Sequence, residues 1–244
     1  MSRAAIAIIL FALTSACAKR DAAPGVAHDV KPKAFGAALV SMNGDQQSAG
    51  LGSPLSQPLV VQVNDAQGAP VEGALVRFTG ATGMVFDPPE GLTGSDGQFT
   101  TNATLGGMSG HYQVTATTLT SAGKPVDLHM DEIALGYQEM LGSRISAVHC
   151  IRCHDADSTP ERVSNHDNLD PPPHSFTNGA VLNAMSDANL FAIIAHGGVA
   201  LSRSPQMPPY GNTLTKAEID ALVAYLRAVA DPPYRPQGVF YAAN

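Results

Sequence analysis

Between Pro58 and Ile133 apolar residues recur at every second position in short runs: Leu59-Val60-Val61-Gln62-Val63, Ala74-Leu75-Val76-Arg77-Phe78, Gln98-Phe99-Thr100, Tyr112-Gln113-Val114-Thr115-Ala116 and Val126-Asp127-Leu128-His129-Met130. Alternation of this kind marks strands with one face buried and the other in water. The runs are separated by Asn64-Asp65-Ala66-Gln67-Gly68 and Ser95-Asp96-Gly97, which supply the Asp and Gly that tight turns need. Short strands at this spacing predict an antiparallel β-sandwich over residues 56–133.

From Ala134 the period becomes helical. Tyr137, Met140, Leu141, Ile145 and Val148 fall at spacings that stack on one helix face, and that helix runs up to a cysteine pair. A second helix is announced by Ser186-Asp187 and stopped by Gly197-Gly198, with Leu190, Ile193 and Ile194 as its apolar stripe. In the third, Thr215 and Glu218 form a capping box, Ile219, Leu222, Val223 and Leu226 line one face, and Asp231-Pro232-Pro233 ends it. Three helices with long connections predict a small all-α domain over 134–231, followed by a C-terminal tail over 232–244.

The N-terminal end has a different texture. Met1-Ser2-Arg3, the apolar run Ala4 to Leu13 and the small residues Ser15-Ala16-Cys17-Ala18 carry the charge, length and exit chemistry of a signal peptide over 1–18. Residues 19–55 lack periodicity and are rich in Ala, Gly, Ser, Gln and Pro, which predicts a flexible linker. The chain is thus expected to be exported, to the periplasm or cell envelope. The formal charge of −7 is most negative over the β-rich stretch, and no basic stripe is present to neutralise phosphates, which excludes nucleic acid as an expected partner.

Each of the three cysteines has a proposed fate: Cys17 at the leader exit, Cys150 and Cys153 in one motif. None remains for a structural disulfide. Cys150-Ile151-Arg152-Cys153-His154 is a CxxCH motif. Residues three apart on a helical turn face the same way, so both thiols can reach the two vinyl groups of one haem, and the next imidazole is positioned over its iron. Zinc would use the same cysteines with His154 or His149, but it wants four ligands, and His166, His174 and His196 are scattered. A thioredoxin-like dithiol would sit at a helix N-terminus after a strand, whereas this pair ends a helix.

A sixth ligand is sought in Ser204-Pro205-Gln206-Met207-Pro208-Pro209-Tyr210, between the second and third helices. A Met flanked by prolines is held in an extended, stiff segment that can lay its thioether on the distal face, or it can simply pack in the core. Met140, Met185 and His174 compete for the role, although the helical registers of both methionines suit packing. His149 is expected to cap or cover the haem edge, and His196 to serve a helix C-terminus.

Three resemblances follow from these residues. The Cys150–His154 motif, the Met207-Pro208 loop and the helix from Leu214-Thr215 to Arg227 together resemble class I cytochrome c over about residues 134–230. That resemblance implies one covalently bound haem c, with His154 and Met207 as axial ligands. The family often carries a Gly-aromatic pair in its first helix, to which Gly136-Tyr137 is the loose counterpart. The segment Val63-Asn64-Asp65-Ala66-Gln67-Gly68-Ala69-Pro70-Val71, with Val76-Arg77-Phe78, Thr93-Gly94-Ser95-Asp96-Gly97 and Gly110 to Ala116, resembles the bacterial Ig-like modules of invasin-type surface proteins. It covers about a third of the chain and implies a spacer or docking module. Leu13-Thr14-Ser15-Ala16-Cys17 resembles a bacterial lipobox, which implies a lipid on Cys17, membrane attachment and an outer-membrane lipoprotein. The pattern departs from the family in having Thr14 where a large aliphatic residue is usual, and soluble export with cleavage after Ala18 is the other reading.

The expected molecule is therefore an exported two-domain protein, an Ig-like sandwich followed by a small all-α cytochrome c domain. It would be an electron carrier rather than an enzyme, passing single electrons between redox partner proteins. Two alternatives remain open at this point: a haem c enzyme subunit or gas or peroxide sensor with a displaceable sixth ligand, and a surface protein in which the Ig-like module is the primary interaction element.

Overall fold

A computed structural model describes residues 31–158 and 162–235. The strands are β1 (Ala38–Asn43), β2 (Ser48–Gly50), β3 (Leu59–Asn64), β4 (Leu75–Gly80), β5 (Val85–Asp87), β6 (Glu90–Leu92), β7 (Gln98–Thr104), β8 (Gly110–Leu119) and β9 (Pro125–Leu135). The helices that follow are α1 (Tyr137–His149), α2 (Ile151–His154), α3 (Gly179–Leu182), α4 (Asp187–His196) and α5 (Lys216–Ala228). One sheet has the order β1-β3-β7-β5 and the other β2-β9-β8-β4-β6.

Alternation along the strands builds the sandwich. Leu59, Val61 and Val63 of β3 are fully buried, while Val60, Gln62 and Asn64 between them stay partly exposed. Val76 and Phe78 of β4 and Val114 and Ala116 of β8 face the same core from the second sheet. The rings of Phe78 and Phe99 meet across the two sheets at 6.1 Å. Each such Val, Leu or Phe contributes about 1.5–3 kcal/mol when removed from water. The turn chemistry also holds: Asp65 Oδ1 accepts the amides of Gln67 and Ala69, each at 2.9 Å, and Gly68 adopts φ 84°.

The linker expected over 19–55 is corrected in the part that the structure describes. Residues 38–43 form β1, paired antiparallel with β3, and residues 48–50 form β2, paired parallel with β9. Both are edge strands whose side chains are mostly part-exposed, so they lack the period-two signal and are held by backbone pairing instead. Leu39 and Ala49 still pack on the core, and Leu55 belongs to it. The signal peptide, Cys17 and residues 19–30 lie outside the described residues, as do residues 236–244 of the tail.

β9 extends two residues past the expected boundary and leads through Gly136 directly into α1. Its end packs on the helical region: Ile133 and Leu135 form a buried cluster with Val229, joined by Met140, Phe176, Tyr225 and Ala228. The helical core itself is Ile145, Leu182, Leu190, Ile194, Leu214, Ile219, Leu222 and Leu226, with neighbouring residues. The stripe proposed for the first helix holds only in its middle. Tyr137 is 87% exposed and Val148 75% exposed, because α1 is buried along Gly142, Ile145 and Ser146 where it crosses α5. A Cβ at position 142 would lie 2.1 Å from the Ala221 carbonyl oxygen, so this glycine permits the crossing and Gly136-Tyr137 does not. The two later helices match their sequence signals, with Ser186 capping α4, Gly197 ending it at φ 80°, and the Thr215–Glu218 box complete at α5. The first residues of the tail are held in place: Asn183 donates to the Pro232 carbonyl at 2.8 Å, and the Arg227 guanidinium lies 4.0 Å from the Tyr234 ring centre.

Candidate functional site

Residues 150–154 form a turn of helix that continues from α1. The Cys150 amide donates to Ser146, and the Cys153 and His154 amides both donate to the Cys150 carbonyl, at 3.0 and 3.1 Å. This places both cysteines and the following imidazole on the wall of one cavity of about 540 Å³. The two cysteines are not joined to each other in a disulfide. Burial, with the neighbouring Cys153 adding to it, pushes the Cys150 thiol up to about 11. Among the described residues no group of three or more His, Cys, Asp or Glu is arranged to hold a metal ion.

His154 is fixed from two sides. Its Nδ1 donates to the His174 backbone carbonyl at 2.8 Å. A carbonyl can only accept, so the proton sits on Nδ1 and the Nε2 lone pair is free. Burial lowers the pKa of His154 below the usual imidazole value, which keeps the ring neutral and able to act as a ligand. On its flat side the ring stacks on Phe176, with centroids 4.6 Å apart and planes 23° from parallel. The segment carrying His174 is itself tied down, since His166 Nε2 lies 3.0 Å from the Pro173 carbonyl.

The loop holding Met207 closes another part of the cavity. It is bound to the end of α4: the Gly198 amide donates to the Met207 carbonyl at 3.1 Å, and the Tyr210 and Gly211 amides donate to Ile194 and Ala195, each at 2.9 Å. Gly197 and Gly198 do more than end a helix. A Cβ at 197 would lie 2.8 Å from the Met207 carbonyl oxygen, and one at 198 would lie 2.1 Å from that of Ser204, so only glycines let the loop approach this closely. Tyr210 then bridges to the helix bearing the cysteines by donating its O–H to the His149 carbonyl at 2.9 Å. Its ring also meets His149 edge-on at 5.8 Å.

Met207, Met185 and His174 all line the cavity, whereas Met140 packs at the junction with the sandwich. The remaining walls are largely apolar, including Leu182, Leu190, Ile194 and Leu226. His196 lies exposed in the last turn of α4. Sequence reasoning missed Phe176 as a partner of His154, the His174 carbonyl, and the close-approach role of Gly142, Gly197 and Gly198. Only the glycines carried a local signal.

Residues 138–226 match the family model described as cytochrome C oxidase, cbb3-type, subunit III. That family binds covalently attached haem c. The match covers the α1–α5 region and leaves the sandwich outside it. No curated protein matches the chain. Solved structures similar to it include the D00-D0 domain of intimin, at 14% identity over 40% of this chain and 45% of that one, with a TM-score of 0.31. Invasin, a bacterial integrin-binding protein, aligns at 21% identity over 40% of this chain and 19% of that one, TM-score 0.31. The Yersinia pseudotuberculosis adhesin InvE aligns at 14% identity over 41% and 32%, TM-score 0.30. This chain therefore spans less than half the length of each of these three structures.

The residues present fit a haem c. Its covalent attachment needs two thiols a helical turn apart, and its iron needs a neutral imidazole with a free Nε2. Its porphyrin needs an apolar enclosure, and all of these meet in one cavity.

Proposed function

We propose that residues 134–231 hold one haem c, tied by thioether links to Cys150 and Cys153, with His154 and Met207 as the axial ligands of its iron. The chain then carries single electrons between redox partner proteins and is not itself an enzyme. The observation that carries this reading is that both thiols, the His154 ring with its Nδ1 proton already committed, and the Met207 side chain wall a single apolar cavity. When bound, the haem supplies a one-electron ferric–ferrous couple. The chain's own residues do the rest. The His174 carbonyl holds the Nδ1 proton and raises the basicity of the imidazole. The Met207 loop is held on α4 by backbone hydrogen bonds, and Leu182, Leu190, Ile194 and Leu226 exclude water. A thioether ligand in a dry site favours the reduced iron and so a high potential.

The leader over 1–18 supports export to the periplasm or cell envelope, and the sequence around Cys17 supports a lipid anchor there. In this reading the sandwich serves as spacer or docking module for the carrier. The experiment is expression with a c-type maturation system followed by acid-acetone extraction. The pigment is expected to stay with the protein; a colourless chain, or pigment released into the acetone, would overturn the proposal.

A further inference from the structure

Phe176 belongs to two packing groups at once. One face of its ring stacks on the imidazole of His154. It also packs against the buried cluster of Ile133, Leu135 and Val229, where the last residues of β9 meet the chain just beyond α5. A continuous line of van der Waals contact therefore runs from the sandwich to the imidazole.

The line is stiff at each end. β9 is paired with β8 from Leu119 opposite Pro125 to Gly110 opposite Ala134, and its last residue, Leu135, pairs with Gly50 of β2. On the helical side, the Asp231 amide donates to the Thr177 carbonyl and the Gly179 amide to the Asp231 carbonyl, each at 2.9 Å, which clamps the segment next to Phe176. The same segment presents the His174 carbonyl to Nδ1 of His154. An imidazole bound through Nε2 can otherwise turn about that bond. The carbonyl fixes its edge, and a stacked ring fixes its plane.

We propose that the β-sandwich is a structural part of the haem site: β9, through Ile133 and Leu135, seats Phe176, and Phe176 is a positioning residue that sets the plane of the His154 imidazole. This deepens the proposed function and rests on its reading of His154 as an iron ligand. It makes the sandwich more than a detachable spacer, because a side chain packed against the imidazole that holds the iron would tune the iron without touching it.

The test uses the full-length, haem-loaded chain and reads the ferric low-spin electron paramagnetic resonance pattern, which reports the orientation of the axial ligands, together with the equilibrium midpoint potential. Phe176→Leu and Leu135→Ala are expected to displace the pattern while haem stays attached, and Phe176→Tyr, which keeps the ring, is expected to restore it. Ile133→Val, a smaller truncation in the same cluster, should move it the same way and guards against loss of fold in Leu135→Ala. Val61→Ala, in the sandwich's own core, should leave it unchanged. A wild-type pattern in Phe176→Leu, or equal effects from the β9 variants and Val61→Ala, would overturn the proposal. A His154→Ala chain that keeps the wild-type spectrum would instead overturn the ligand reading beneath it.

Discussion

Gly142 of α1 lies against the backbone of Ala221 in α5, so close that a Cβ at 142 would sit 2.1 Å from the Ala221 carbonyl oxygen and 2.7 Å from the Tyr225 Cβ. Both neighbours are parts of a helix and cannot step aside singly. The crossing also fixes where α1 delivers the cysteine pair.

Gly142→Ala should therefore destabilise the helical region even though alanine is the better helix former. The overpacking is expected to cost about 1–3 kcal/mol, more than the roughly 1 kcal/mol gained in helix propensity. A chemical-denaturation midpoint followed by haem absorbance checks it; an unchanged or raised midpoint would refute the close approach.

Met207→Ala should leave the haem attached, because the thioether links are untouched. It should abolish the low-spin methionine signature in the visible spectrum of the ferric protein. The thioether of Met185 also lines the cavity, so Met185→Leu is the matched control and should keep the signature. The reverse outcome would transfer the ligand role to Met185.

Cys150→Ala or Cys153→Ala should each remove one thioether link and weaken covalent retention of haem, and the double substitution should abolish it. Haem staining after denaturing electrophoresis reads this directly. Full retention in the double variant would end the attachment assignment.

Glu132 is completely buried in the sandwich. One carboxylate oxygen accepts the Gln47 amide at 2.7 Å, and the other has no hydrogen-bond partner among the described residues. Burial raises its pKa from 4.5 to about 8, with the nearby Asp45 and Asp131 charges adding to the shift. The folded chain thus keeps a proton that the unfolded chain releases. The associated stability is fully present below the unfolded pKa and is lost as pH climbs toward the folded one. Glu132→Gln, neutral at every pH, should flatten that decline between about pH 5 and 8. Urea midpoints across the range test it, and parallel slopes in the two proteins would exclude Glu132 as the source.

Much of this protein was legible in one dimension where a signal is local. Period-two alternation at Leu59-Val61-Val63 places three residues on one face of β3 because a strand repeats every two positions. The Thr215–Glu218 box marks the start of α5 because both partners lie within a single turn. The spacing of Cys150, Cys153 and His154 likewise puts both cysteines and the imidazole on one cavity wall, through hydrogen bonds spanning no more than four residues.

Tertiary structure decided what depends on distant neighbours. β1 and β2 exist because β3 and β9 offer them backbone groups, and their own side chains carry no alternation to announce it. Which face of α1 is buried was settled by Gly142 meeting Ala221, 79 positions further along the chain, and not by the apolar stripe that includes the exposed Tyr137 and Val148. The identity of the groups around His154 was settled the same way, since a carbonyl donates no sequence signal and Phe176 reads as any other core aromatic. Short-range order is encoded in periodicity and caps because its energetics are summed over a few bonds. Pairing across the fold is chosen by shape and hydrogen-bond supply, which become defined only after the chain has closed on itself.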